Sequence, residues 1–165
     1  MPADRAWLDR VLQGTAVLSG SYLSGSMMTI SLITFPTMID TVLTPSHLLQ
    51  QWVGMFYYGH RIHPTMAVAT LSIYLYAAWR QRLVNAAWTR LLGAGLVTFL
   101  MTPFTWFIIR PMNTTISRLA SDSKGDKVGM VEAQRLVRKW SWLHLTRSLF
   151  PLMGAVLGLR QMFAG

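Results

Sequence analysis

The chain has 165 residues, of which 52% are hydrophobic and only 13% are charged. Soluble domains carry about a quarter charged residues, and a chain this short has too little volume to bury the excess apolar side chains in a core. The net charge is +9, but the basic residues lie at the ends of apolar runs, which disfavours nucleic-acid binding. The chain has no cysteine, which excludes disulfides, thiolate metal sites and cysteine nucleophiles.

Four apolar segments predict an integral membrane protein. The spans are expected near residues 12–35, 62–79, 91–109 and 140–159, and each is close to the roughly 20 residues that a helix needs to cross a bilayer. The predicted fold class is therefore all-α, an integral membrane four-helix bundle. Residues 1–165 are expected to form a single transmembrane domain.

The first apolar run, residues 11–39, carries no charge. It is longer than the apolar core of a signal peptide and no Ala-x-Ala-like site follows it, so we expect a retained first span, with a bend before Pro36. Small residues spaced four apart predict close approach of another helix; they are Gly20 with Ser24 and Ser21 with Gly25.

Residues 40–61 predict a short interfacial helix between the first two spans. Its Trp and Tyr side chains, Trp52 among them, suit the membrane–water interface. The second span is expected to open at His63-Pro64, because proline is tolerated in a first helical turn.

The third span is expected to close at Arg110-Pro111, with Asn113 just beyond it as a helix-end cap. The polar stretch Ser117–Gly129 predicts a flexible loop.

The fourth span is short of apolar residues. The charge-free run Ser148–Leu159 covers only about 18 Å as a helix, so the helix must extend back through Arg147 and His144 towards Trp140. These three residues are spaced i, i+4, i+7 and share one helix face. An arginine at membrane depth costs about 3 kcal/mol unless it is paired or hydrated. The face predicts a polar pocket; the alternative is an interfacial Trp, a hydrated His and a structural Arg.

A second polar feature is the pair His60 and His63, three residues apart near the entry of the second span. Together with His144 they could bind a metal or haem iron. They could equally be polar residues at headgroup level, and no metal motif of known spacing is present.

Short motifs distributed along the chain resemble those of one family. They are Ser24-Gly25-Ser26-Met27-Met28, Pro36, His63-Pro64, Arg110-Pro111-Met112-Asn113 and the Trp140, His144, Arg147 face. In order and spacing the chain resembles the anthrone oxygenases of fungal polyketide pathways, which are small four-span membrane proteins.

This resemblance implies oxidation of an anthrone to an anthraquinone by molecular oxygen, with no evident cofactor. The catalytic residues it suggests are His63 or His144 as base and Arg147 to stabilise the anion. Asn113 would hydrogen-bond a substrate oxygen and Trp140 would stack on the rings. The substrate-binding residues are then Asn113, Trp140, Arg110 and Trp52.

Two other functions remain open at this point. One is a haem- or metal-dependent membrane oxidoreductase using His60, His63 and His144, and the other is a non-enzymatic small-molecule carrier or scaffold. The expected partners are a small aromatic polyketide and the lipid bilayer, with no nucleic acid and with an oligomer possible. An intracellular membrane such as the endoplasmic reticulum is the expected location.

Overall fold

The computed structural model describes residues 2–84, 87–121 and 128–164, and all regular structure in these ranges is helical. Four helices are present there: α1 over residues 2–41, α2 over Pro45–Arg82, α3 over Trp88–Ser121 and α4 over Met130–Ala164. The prediction of an all-α fold is confirmed. Two of these helices, α1 and α3, are long and apolar enough to cross a membrane by length and composition.

Helix α2 is longer than predicted. It runs without interruption from Pro45 to Arg82, with Pro64 inside it, so the separate interfacial helix and the helix start near residue 62 were wrong. An internal proline loses one backbone hydrogen bond and costs about 3 kcal/mol. Burial of Trp52 and Ala67, on either side of the proline, shows that this helix is packed on both sides of Pro64, and packing outweighs the local cost.

Helices α3 and α4 also extend beyond their predicted ends. Helix α3 continues through Arg110-Pro111 as far as Ser121, so Asn113 lies within a helix and is not a cap. The predicted loop Ser117–Gly129 begins with five helical residues, and residues 122–127 lie outside the described ranges. Helix α4 begins at Met130, which confirms that the fourth helix reaches back beyond Arg147 and His144.

Two turns of π-helix interrupt the regular geometry, one at Ile30–Thr34 in α1 and one at Thr105–Ile109 in α3. In each, a backbone N–H bonds the carbonyl five residues earlier: Phe35 to Ile30, and Arg110 to Thr105. Both turns lie beside a proline, Pro36 or Pro103. Such turns widen a helix by one residue and are frequent at functional sites.

The chain divides into two compact units. The first unit comprises Met1–Gly25, Pro64–Thr102 and Ser148–Gly165, and the second comprises Ser26–His63 and Pro103–Arg147. A single transmembrane domain stays a prediction.

Close backbone approach holds the first unit together. A Cβ on Gly154 would lie 2.7 Å from the Ala94 carbonyl oxygen and would overlap the Thr98 hydroxyl. A Cβ on Gly158 would lie 3.0 Å from the Tyr74 ring, whose hydroxyl donates to the Gly154 carbonyl at 3.2 Å. Only glycine fits at these two positions of α4.

One of the two predicted small-residue pairs in α1 makes the expected contact. A Cβ on Gly20 would lie 3.3 Å from the Pro151 carbonyl oxygen, and the Ser24 hydroxyl donates to the Ser148 carbonyl at 2.9 Å. Ser21 and Gly25 are exposed instead. Each follows Gly20 or Ser24 by one residue, so its side faces about 100° away from the contact.

Aromatic side chains dominate the second unit. Its core combines residues from all four helices, including Phe35, Trp52, Ile109 and Trp140, all of them buried. This core supports the candidate site.

Candidate active site

The three predicted catalytic residues are all buried in the second unit. The exposed fractions of His63, His144 and Arg147 are 4%, 1% and 6%. The two imidazole centroids are 5.8 Å apart, and Arg147 lies close enough to both rings to interact with them electrostatically. Helices α2 and α4 thus bring together residues that are far apart in the sequence.

Arg147 is a buried cation with no carboxylate partner among the described side chains. One terminal nitrogen donates to the Thr105 hydroxyl at 2.9 Å, and its Nε has no hydrogen-bond partner. The ion pairs among the described side chains use other residues. Since an uncompensated buried charge costs several kcal/mol, this arrangement suits a site that receives an anion.

Hydroxyl groups from the π-helical turns contact the site. Ser31, in the turn of α1, lies with its Oγ 2.9 Å from His144 Nδ1, and the imidazole also hydrogen-bonds the backbone of Met27. The Ser141 hydroxyl donates to the Ser31 carbonyl at 3.1 Å. Thr105, the partner of Arg147, begins the π-helical turn of α3. These turns orient the His144 ring and the guanidinium.

Trp140 makes aromatic contacts on several sides. It stacks on His144 with centroids 4.6 Å apart, and Phe35 and Trp52 pack on it at 5.1 and 5.5 Å. Its indole nitrogen donates to Asn113 Oδ1 at 2.6 Å. Stacking of Trp140 on a substrate would therefore require one of these neighbours to move.

Trp52 is not exposed, although its sequence context predicted a residue at the membrane–water interface. The residue is fully buried, because the continuous helix α2 directs it onto Trp140. Within the part of the chain that the structure describes, neither its indole nitrogen nor His63 Nδ1 has a hydrogen-bond partner. Buried polar atoms normally have one. The Trp52 N–H is therefore a donor that a ligand oxygen could satisfy, and His63 Nδ1 is open to a hydrogen bond with a ligand.

Two of the predicted residues lie apart from this cluster. Arg110 is exposed, with its guanidinium 4.8 Å from the Trp106 ring. His60 is exposed and stacks on Phe56. In the described ranges no group of three or more His, Cys, Asp or Glu side chains could hold a metal ion.

A groove of about 320 Å³ lies beside the cluster in the second unit, between α1 and α4. Ser31 lines it together with Phe35, Ser141 and Leu145, and Asp40 and Arg138 contribute charged groups. Since Ser31 also contacts His144, this residue joins the groove to the buried imidazoles.

Ser31 and Thr105 were not predicted from the sequence. Both are small hydroxyl residues inside apolar runs, where nothing marks a hydrogen-bond partner. Their nearness to Pro36 and Pro103 was the available signal, because prolines interrupt helix hydrogen bonding and accompany local rearrangement.

Comparison with known proteins places this sequence in a family. The family model for anthrone oxygenase matches residues 52–157. An anthrone oxygenase of Paecilomyces divaricatus is 47% identical over 150 residues, covering 88% of this chain and 92% of the relative. An anthrone oxygenase of Aspergillus novofumigatus is 41% identical over 152 residues, covering 92% and 93%.

A third relative carries a more specific name. The noranthrone monooxygenase of Aspergillus flavus is 40% identical over 146 residues, covering 87% of this chain and 70% of the relative. No solved structure matches the chain. The matches confirm the resemblance drawn from the short motifs, and the chain belongs to the anthrone oxygenase family of oxidoreductases.

Proposed function

We propose that the protein is an integral membrane oxygenase that converts a polyketide-derived anthrone to an anthraquinone with molecular oxygen. The substrate class is supported by the names of the relatives, which include anthrone oxygenases and a noranthrone monooxygenase. The site assignment rests on one observation: buried Arg147 has no carboxylate partner among the described side chains and lies beside two buried imidazoles.

The first chemical step is removal of a proton from the methylene carbon of the anthrone. The product is a phenolate-like anion, whose charge rests largely on the former carbonyl oxygen. We assign His63 as the base, because its Nδ1 has no hydrogen-bond partner, whereas His144 Nδ1 is engaged by Ser31. A positioned base contributes about 10²–10⁴-fold to such a step.

Arg147 stabilises the anion. Its unpartnered Nε can donate to the developing oxyanion, and its bond to Thr105 fixes the guanidinium in advance. A preorganised donor in a site shielded from water is worth about 10²–10³-fold in rate. His144, which stacks on Trp140, is the second side chain that we place beside this anion.

Oxygen then reacts with the anion. One electron passes from the anion to oxygen, and the resulting radical and superoxide combine at the former methylene carbon to form a peroxide. The protonated imidazole returns its proton to the peroxide. Loss of the remaining hydrogen from that carbon, with cleavage of the O–O bond, gives the new carbonyl and one water. Because the anion supplies the electrons, the scheme needs no bound cofactor.

The aromatic residues hold the substrate. Asn113 accepts from Trp140, which leaves its amide NH₂ to donate to a substrate oxygen, and the Trp52 indole N–H supplies another donor. Trp140 contributes a ring edge or face once a neighbour shifts. A contribution of Arg110 would be made at the exposed surface, beside Trp106.

All four helices are proposed to cross the membrane, as a bundle in an intracellular membrane such as the endoplasmic reticulum, where oligomers can form. Support comes from large apolar side chains that remain exposed, among them Leu18, Ile33, Phe107 and Trp142. Patches of this kind face lipid or a partner more often than water. Anthrones are flat and apolar, so they would collect in the same bilayer.

A turnover assay tests the proposal. Membranes containing the protein are incubated with a hydroxylated anthrone under ¹⁸O₂, alongside membranes without it. We expect quinone to form faster than spontaneous oxidation, with one ¹⁸O atom in the new carbonyl. Oxidation no faster than in control membranes would contradict the activity. A stoichiometric metal or haem in the active purified protein would contradict the cofactor-free scheme.

A further inference from the structure

A second cavity lies in the first unit. Its volume is about 590 Å³, and it lies between the first turns of α3 and the last turns of α4. Its lining consists of Arg90, Gly93, Leu157, Arg160 and Gln161. The size is within the range of about 300–1,000 Å³ that small-molecule sites occupy.

The polar part of the lining presents hydrogen-bond donors. Arg90 donates to Gln161 Oε1 at 3.3 Å, which uses the acceptor of that buried amide and leaves its NH₂ group. Among the residues that the structure describes, no carboxylate side chain lines the cavity. Arg90 and Arg160 form no ion pair with any side chain that the structure describes. The lining thus offers two cations and an amide donor to an anion.

A third arginine lies close to Arg90 in the chain. The guanidinium of Arg82 is 5.2 Å from the ring of Trp88, the first residue of α3. Guanidinium groups bind phosphate oxygens through paired hydrogen bonds, which favours a phosphate among the possible anions.

The remaining lining is apolar and open. Leu157 is 38% exposed, and a Cβ added to Gly93 would meet nothing within 4 Å. A free phosphate ion would fill little of this space. A ligand with a phosphate at one end and an apolar chain at the other matches both parts.

We propose that this cavity binds the phosphate of an anionic phospholipid, with Arg90 and Arg160 on the phosphate oxygens and an acyl chain along Leu157. Basic pockets between membrane helices bind headgroups in this way. The inference rests on the proposed membrane location but not on the proposed catalysis.

The test measures thermal unfolding of the full-length protein in detergent with added phosphatidylserine, phosphatidylcholine, inorganic phosphate or glycerol phosphate. Phosphatidylserine is expected to raise the unfolding temperature more than phosphatidylcholine. The Arg90→Gln, Arg160→Gln double variant should need about 25-fold more phosphatidylserine for the same rise in unfolding temperature. This figure takes about fivefold in affinity for each arginine near the membrane surface. Gly93→Phe should abolish the shift by filling the cavity, and it keeps both arginines.

Matched controls are Arg118→Gln, an exposed arginine of the second unit, and Gly54→Phe, where an added Cβ also meets open space. Both should keep the full lipid response. Equal lipid shifts in the wild type, the double variant and Gly93→Phe would overturn the proposal. A full shift with inorganic phosphate or glycerol phosphate would overturn the lipid assignment.

Alkaline carbonate extraction separates the two possible failures. Protein released into the supernatant would contradict the membrane location itself. Protein that stays in the membrane and responds to phosphatidylserine supports this inference even if it does not oxidise an anthrone.

Discussion

The two units differ in how they treat buried polar groups. In the first unit, hydroxyls on packed faces close on backbone carbonyls, as Tyr74 does on Gly154 and Ser24 on Ser148. In the second unit, an imidazole nitrogen of His63 and the Nε of Arg147 are buried without a partner. Unpaired buried atoms in the first unit are neutral oxygens, on Gln81 and Thr102. We interpret this difference through the proposed function: the contacts of the first unit pair buried hydroxyls, whereas the second unit keeps unpaired buried nitrogens for the proposed site.

The largest effect on activity is expected at His63 in the second unit. His63→Ala removes the proposed base, so kcat for anthrone oxidation, measured per folded protein, should fall by about 10²–10⁴-fold. His60→Ala is the matched control, because His60 lies on the same helix but is exposed. Equal activity of the two variants would remove His63 from the mechanism.

A substitution in the first unit should act on stability instead. Gly154→Leu places a side chain where even a Cβ overlaps Thr98, and overpacking of this kind costs about 3 kcal/mol or more. We expect loss of monodisperse protein on size-exclusion chromatography. Gly25→Leu, at an exposed glycine with open space around it, should behave like the wild type. A well-folded Gly154→Leu variant would show that the close approach is not required.

The Trp140–Asn113 pair should have a moderate effect. Trp140→Phe removes the indole donor and leaves the half-buried amide of Asn113 without it, which costs about 1–3 kcal/mol. Thermal unfolding of Trp140→Phe, Asn113→Ala and the double variant forms a cycle, with an expected coupling of about 0.5–3 kcal/mol. Additive changes would mean that the hydrogen bond contributes nothing to the second unit.

The smallest effect is expected at Ser31. Ser31→Ala leaves His144 in place but releases its Nδ1 from the hydroxyl. The value of kcat should fall by about tenfold, the smallest loss typical when a metal-binding His loses its hydrogen-bond partner. KM should stay unchanged. Ser141→Ala is the control, since that hydroxyl bonds the Ser31 carbonyl and not the imidazole. A larger loss in Ser141→Ala would assign the effect to the helix turn.

Part of the fold could be predicted from sequence because apolar length and charge placement are local properties. The shortness of the charge-free run Ser148–Leu159 required a helix that carries Arg147 and His144 inward, and this helix exists. The predicted helix ends at Pro64 and at Arg110-Pro111 were wrong, because the helices continue through both. A proline is a strong local signal for a boundary, and the packing that carries a helix through it depends on residues elsewhere in the chain.

The arrangement of the candidate site residues could be predicted in part. The Trp140, His144 and Arg147 face follows from helical spacing alone. The approach of His63 to His144, the partner of Trp140 and the burial of Trp52 depend on which faces of different helices meet. Spacing within one helix cannot supply that information. Ser31 and Thr105 depend further on π-helical turns, which shift the faces of α1 and α3 by one residue.

The most direct test of a catalytic role for buried Arg147 is the turnover number of Arg147→Gln measured beside Arg135→Gln in the same membranes. Arg135 lies on the same helix, but it is exposed and already paired with Glu132 at 2.6 Å. We predict that Arg147→Gln lowers kcat by about 10²–10³-fold, the loss expected when a preorganised donor to an oxyanion is removed, and that Arg135→Gln does not change it. Wild-type turnover in Arg147→Gln would contradict the account, because the buried cation would then have no part in the reaction.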